Sequence, residues 1–228
     1  MNRPVIRRFH GHRPERGFTL VELSIVLVII GIILGAVTIG RDVQRGAANQ
    51  RIATEFVQGW AIAFDAFANG SGRVPGDPAA NPTGLVNGAL DTPLCGANLR
   101  TEMQAVGIAM PAGRAEGSED LAVYLDANGN PRQLEVCFAA RSWSEPGAAP
   151  GTYLVRNRNV MELRGLTPAL ANMLDNQLDG KLDARFGRLR ENTQAAATGT
   201  ASVAWSAAQP GLDEAQAPTM TAYLRMSR

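Results

Sequence analysis

Arg16-Gly17-Phe18-Thr19-Leu20-Val21-Glu22 leads without a break into LSIVLVIIGIILGAVTIG, residues 23–40. Between Glu22 and Arg41 there are 18 residues without a charge, and from Phe18 to Gly40 the run is 23 residues holding one carboxylate. About 20 apolar residues cross a bilayer core as a helix, so the stretch is long enough to span. The carboxylate sets it apart from an ordinary anchor. A charge at the centre of a span costs roughly 2.5–3.5 kcal/mol, and such residues usually have a partner and a purpose. Glu22 sits one turn from the start, where the cost is smaller and the positive end of the helix dipole favours it.

Residues 1–17, MNRPVIRRFHGHRPERG, hold two prolines and no periodic pattern. They read as a removable leader rather than as fold. An ordinary secretory signal has a shorter apolar core, closed by a small-x-small site, and no such site closes this run. A short basic leader ending in Gly17, then Phe18-Thr-Leu-Val-Glu22, then about 18 apolar residues, resembles the class III signal of type IV pilins and pseudopilins. The resemblance implies cleavage by prepilin peptidase between Gly17 and Phe18 and N-methylation of the new Phe18 amine. It also implies that Glu22 neutralises the amino terminus of a neighbouring pilin subunit in a helical filament. The motif matches residue by residue from Gly17 to Glu22. Many long type IV pilins carry a proline about where Ile39 stands here, and its absence leans the resemblance toward a pseudopilin or minor pilin.

Charge distribution fixes an orientation. The leader holds five of the 22 basic residues and one of the 21 acidic ones, leaving 17 basic and 20 acidic residues on the mature chain. A basic leader beside the span is the positive-inside pattern. It places residues 1–17 in the cytoplasm and the C-terminal bulk across the membrane; the resemblance implies a single-pass chain in the bacterial inner membrane with its head in the periplasm. The mildly acidic mature chain gives no electrostatic argument for nucleic-acid binding. Both histidines, His10 and His12, lie in the leader, so the mature protein has none for Ser-His-Asp or Cys-His catalysis or for a His-based metal site. No nucleotide-binding, hydrolase or zinc-protease string appears either. An anchored hydrolase would have to work with carboxylates alone, and the reading is not an enzyme. Cys95 and Cys137 are the only cysteines, both on the translocated side, where such a pair is more often bridged than free.

The helical pattern continues past the apolar run. Ile52, Phe56, Trp60, Phe64 and Phe67 recur at spacings of four and three, which puts them on one face of an amphipathic helix. That face is expected to pack on a sheet. Asn69-Gly70-Ser71-Gly72 is the helix stop. Gly46 and Gly59 weaken the helix by up to about 1 kcal/mol each relative to Ala. Gly31-x-x-x-Gly35 permits close helix approach in a membrane or filament core. Val74-Pro75-Gly76-Asp77-Pro78 is a turn, and residues 79–120, rich in Gly, Pro, Asn and Ala, hold one short helix near Leu99–Val106.

Leu121–Asp126 and Gln133–Phe138 flank Asn128-Gly129, a strong hairpin signal. Asp126, Asn128 and Asn130 are spaced like the start of an EF-hand loop, but Pro131 and Cys137 stand where that loop needs Gly and Glu. The metal reading fails there. Gly151–Arg156 is a third strand. Leu166–Asp175 is a helix, with Thr167 as cap and Pro168 in the first turn. Asp175, Asp179 and Asp183 form an acidic turn that offers the hard oxygen ligands calcium takes; no other cofactor is indicated. Ser202–Ala204 and Thr221–Leu224 are expected as short edge strands.

The fold class is α+β, with a long N-terminal helix and a small antiparallel sheet. Residues 1–17 are the leader, 18–40 the membrane and filament-core helix, 41–69 its amphipathic continuation and 70–228 the head. The resemblance implies a structural subunit of an inner-membrane-assembled filament. The alternative is a membrane-anchored binding or adhesion module that does not polymerise.

Overall fold

The computed structural model describes residues 17–205 and 219–227, so the leader expected over residues 1–17 lies outside them except for Gly17. The chain divides into two compact units between Gln44 and Arg45. The first holds most of helix α1 (Leu20–Arg51), whose Leu20–Val37 window has a mean hydropathy of 2.8 with none of its residues buried. It is the one helix among the described residues that is long and apolar enough to cross a membrane.

The second unit, the head, opens on the end of α1. The helical path then passes through a π-helical turn at Ile52–Val57 into α2 (Gln58–Ser71) and stops at Gly72, which has a positive φ of 74°. One helix weakened at Gly46 and Gly59 was expected here; the π-turn lies between these glycines and carries Ile52, Ala53, Phe56 and Val57 inward together. All five stripe residues are buried, the most exposed being Ile52 at 7 %. Gly59 has a use that helix propensity does not reveal. A Cβ there would sit 2.9 Å from Pro111 Cβ, so the glycine admits the loop against the helix.

The sheet has six antiparallel strands: β1 (Leu94–Cys95), β2 (Leu121–Leu125), β3 (Pro131–Pro146), β4 (Tyr153–Leu166), β5 (Leu189–Glu191) and β6 (Met220–Arg225). The order is β1-β3-β4-β6-β5, with β2 paired to β3 as well. Helix α3 (Gly96–Ala105) follows β1, and α4 (Pro168–Asp179) follows β4. Alternation along β3 and β4 creates two faces. Val136 and Leu163 pair, as do Phe138 and Met161, and all four join the main core with α2. Phe138 meets Phe64 at 4.9 Å and Trp60 at 6.0 Å between ring centroids. On the other face Ala139, Val160, Trp143 and Ala195 make a second, smaller core, with Tyr223 packed against it.

Two details fix this arrangement. Gly165, at φ 89°, lies where the β4–β6 register shifts, and a Cβ there would be 2.2 Å from Gln133 O. Only glycine fits so close a backbone approach. Tyr124 then donates to Gly165 O at 2.8 Å and accepts from Thr167 N at 2.9 Å, tying the edge strand to the start of α4. Thr167 caps α4 by accepting from Leu170 N, with Pro168 in the first turn. The C-terminal strand differs from expectation: Thr221–Leu224 lies in β6, which runs between β4 and β5 and is not an edge, while Ser202–Ala204 forms no strand.

Candidate functional site

At the start of α1, Thr19 and Glu22 bind each other reciprocally. Thr19 N and Thr19 Oγ1 donate to Glu22 Oε2 at 2.8 and 2.9 Å, and Glu22 N donates to Thr19 Oγ1 at 3.2 Å. Leu23 N donates to Thr19 O at 3.2 Å, which makes Thr19 the cap and Glu22 the third helical residue. The pair is a capping box, which satisfies two of the helix's otherwise open N–H groups. Sequence reasoning treated Glu22 as a lone carboxylate, yet Thr-x-x-Glu before an apolar run was there to be read. Phe18, directly before the cap, is 83 % exposed.

In the head, Cys95 and Cys137 are joined in a disulfide with Cα atoms 4.5 Å apart, and they face each other across the β1–β3 pairing. Glu135 lies close to both sulfurs. The sulfurs are bonded to each other, so the trio offers no thiolate to a metal.

The acidic residues named from sequence accept hydrogen bonds from the segment that follows α4. Asp175 Oδ2 accepts from Asp183 N at 2.7 Å and from Trp205 Nε1 at 2.9 Å. Asp179 Oδ2 accepts from Arg188 N and Leu189 N at 2.8 and 3.0 Å. Asp183 accepts from Arg185 N and Val203 N through Oδ1 and from Ser202 Oγ through Oδ2. Among the described residues these three carboxylates do not gather into a ligand group. They hold the segment after α4 in place. Asp175 is fully buried, and burial pushes its carboxyl up to about 6 against the opposing bonds from Trp205 and Asp183, with Asp179 and Asp183 adding repulsion.

Two other motifs have the same character. Burial works to raise the Asp77 carboxyl, but bonds from Thr83 N, Thr83 Oγ1 and Gly84 N outweigh it and hold it below the usual range. The Pro-Gly-Asp turn is thus a loop anchor. Asp126 accepts from Asn128 N, Asn130 N and Arg132 Nε, so the EF-like spacing serves the hairpin turn.

Residues 12–38 match the family model described as the prokaryotic N-terminal methylation motif. The chain carries the prepilin-type signal of type IV pilins and pseudopilins. No curated protein and no solved structure matches the chain. The prepilin-type signal implies processing by prepilin peptidase and assembly with other pilin subunits, and its apolar helix is consistent with membrane anchoring. Behind the signal stands an α+β head consistent with a pilin-like fold.

One constellation in the head had no linear signal. Glu145 accepts from Arg158 Nε and Nη2 at 2.7 and 2.8 Å, and Arg225 Nη1 and Arg156 Nε lie 3.2 and 3.7 Å from its carboxylate. Arg158 above all, then Arg225 and Arg156, hold its carboxyl below the usual range. Beside them Arg190 stacks on Trp143 at 4.2 Å and donates to Ser144 O, Ser144 Oγ and Ala195 O.

Proposed function

We propose that this protein is a minor type IV pilin or type II secretion pseudopilin, a structural filament subunit and not an enzyme. The observation that carries the reading is the methylation-motif match over residues 12–38, which takes in an apolar helical stretch, Leu20–Val37, left unburied among the described residues. Such a surface needs lipid before assembly and like helices after it. In this reading prepilin peptidase cuts between Gly17 and Phe18, the Phe18 amine is methylated, and residues 18–40 become the filament core. The capping box supports a double use of Glu22. In the free chain it caps α1. In the filament it accepts the ammonium of a neighbouring subunit's Phe18, where a charge left alone is costly. The head is periplasmic in the precursor and forms the filament surface, and the Cys95–Cys137 bridge suits that oxidising side.

The test is mass spectrometry of sheared filaments. The expected species begins at N-methylated Phe18, and Gly17→Val is expected to retain the leader and accumulate in the membrane. An intact leader on wild-type protein in the filament fraction contradicts the reading.

A further inference from the structure

Strand β2 borders β3 on one side only. Val136 N donates to Asp120 O and Asp126 N to Asn130 O, which sets the alternation of bonded pairs along the two strands. Asp120, Ala122, Tyr124 and Asp126 therefore turn their backbone N–H and C=O groups to β3, and Leu121, Val123 and Leu125 turn theirs away. At Leu121 these outward groups are occupied: its N–H donates to Ser118 O and its carbonyl accepts from Arg114 N. The loop then leaves the strand, and Pro111 packs on Gly59 of α2. The outward groups of Val123 and Leu125 have no such partner among the described residues, and the two residues are 49 % and 50 % exposed. An open strand edge of this kind is a template for another strand.

Beside this edge lies a groove of about 280 Å³, bounded by the end of α1 and the π-turn, by residues 112–114 and by Ala122 and Val123. Ile52 and Phe56 form its buried apolar floor, and Arg51, Arg114 and Glu55 stand exposed around it. Neither arginine pairs with a carboxylate among the described residues, and Arg114 Nη1 lies 3.5 Å from a neutral partner, Gln133 Oε1. The rim therefore carries a net charge of +1. Ala122 and Tyr124 face the core side of the sheet, so a strand laid beside β2 puts alternate side chains on that side, over the apolar floor. We propose that the groove takes an extended peptide segment of a partner protein, which adds a strand to β2 and sets a carboxylate between Arg51 and Arg114. In strand addition the main chain supplies affinity and pockets for alternate side chains supply specificity. Guanidinium forks hold a carboxylate by paired hydrogen bonds. An apolar helix such as α1 cannot be the occupant, because its backbone groups are bonded within the helix. The proposal does not rest on the filament reading, since a single subunit carries both edge and groove.

The test uses the full chain in a neutral detergent and the fluorescence anisotropy of a labelled hexapeptide, Ser-Thr-Val-Thr-Val-Asp with a free C-terminus. Saturable binding is expected at roughly 10–100 micromolar. The amidated peptide with Lys in place of Asp should bind about tenfold or more weakly, the worth of a charge-assisted hydrogen bond. Arg51→Glu combined with Arg114→Glu, both exposed positions, should reverse this preference. Two further peptides, N-methylated on one or the other set of alternate backbone nitrogens, read the strand pairing itself. Only one set faces β2, so one of them should lose about tenfold or more and the other should bind like the parent. No saturable binding up to ~1 mM overturns the proposal. So do two methylated peptides that bind alike, or a charge-reversed protein that still prefers the Asp peptide.

Discussion

The stem and the head use apolar residues in opposite ways. From Leu20 to Val37 the stem is more apolar than any stretch of the head, and none of it is buried. From Ile52 to Phe67 the head keeps a stripe of five large side chains, and every one is covered by its own sheet and loops. The head thus contains the partners for this stripe, and among the described residues Leu20–Val37 has no such cover. Completeness, and not hydrophobicity, separates a folded domain from an assembly element.

The sharpest way to break this comparison is to truncate one side chain in each region. Phe64 is fully buried against Phe138, and Phe64→Ala should cost the head about 3–5 kcal/mol. Ile29, 50 % exposed in the stem, should leave head stability unchanged when replaced by Ala. Denaturant unfolding of the full chain in detergent, read by tryptophan fluorescence, checks both. Equal losses would mean the stem is part of the head's cooperative unit.

A pair of glycines sharpens the same contrast at smaller scale. At Gly46 a Cβ meets nothing within 4 Å, whereas at Gly59 it meets Pro111. Gly46→Ala should stabilise by up to about 1 kcal/mol through helix propensity. Gly59→Ala should be neutral to destabilising by about 1 kcal/mol, because the clash offsets that gain. Two gains of the same size would show that the loop at Pro111 yields freely.

A pH-dependent effect concerns Asp175. Its carboxyl is raised to about 6 in the fold, so the folded state binds more protons than the unfolded one between about pH 4 and pH 6. Ionisation of this group therefore destabilises the fold as pH rises through that window, and the penalty is fully present above it. Asn at this position does not titrate. The melting temperature of wild type minus that of Asp175→Asn should rise as pH falls from 7 to 4. A difference independent of pH contradicts the assignment.

What the sequence made legible follows from range. The amphipathic stripe, the Asn-Gly hairpin and the Thr167 cap depend on neighbours a few residues apart, and each appears where local pattern puts it. The disulfide was legible because only two cysteines exist. Strands β1 and β5 were not, since two or three residues carry no period and are held by β3 and β6 respectively. The hydrogen bonds made by Asp175, Asp179 and Asp183 were not legible for a related reason. Composition identifies oxygen ligands, but only the fold shows that N–H groups already occupy them. The arginine cluster joins residues 80 positions apart, and no linear pattern reports it.

Glu22 caps the stem helix, and in the proposed assembly it is also the charge that meets a neighbouring amine. Substitution separates these uses. Gln retains a carbonyl oxygen for the capping box but carries no charge, whereas Ala loses both. The decisive measurement is the ratio of filament-borne to membrane-borne protein for wild type, Glu22→Gln and Glu22→Ala, with leader cleavage followed in parallel. Cleavage should persist in all three, and the ratio should fall at least tenfold in both variants, because an unpaired ammonium enters an apolar core in either case. A Glu22→Gln protein that enters filaments as well as wild type would contradict the charge pairing and leave Glu22 a helix cap alone.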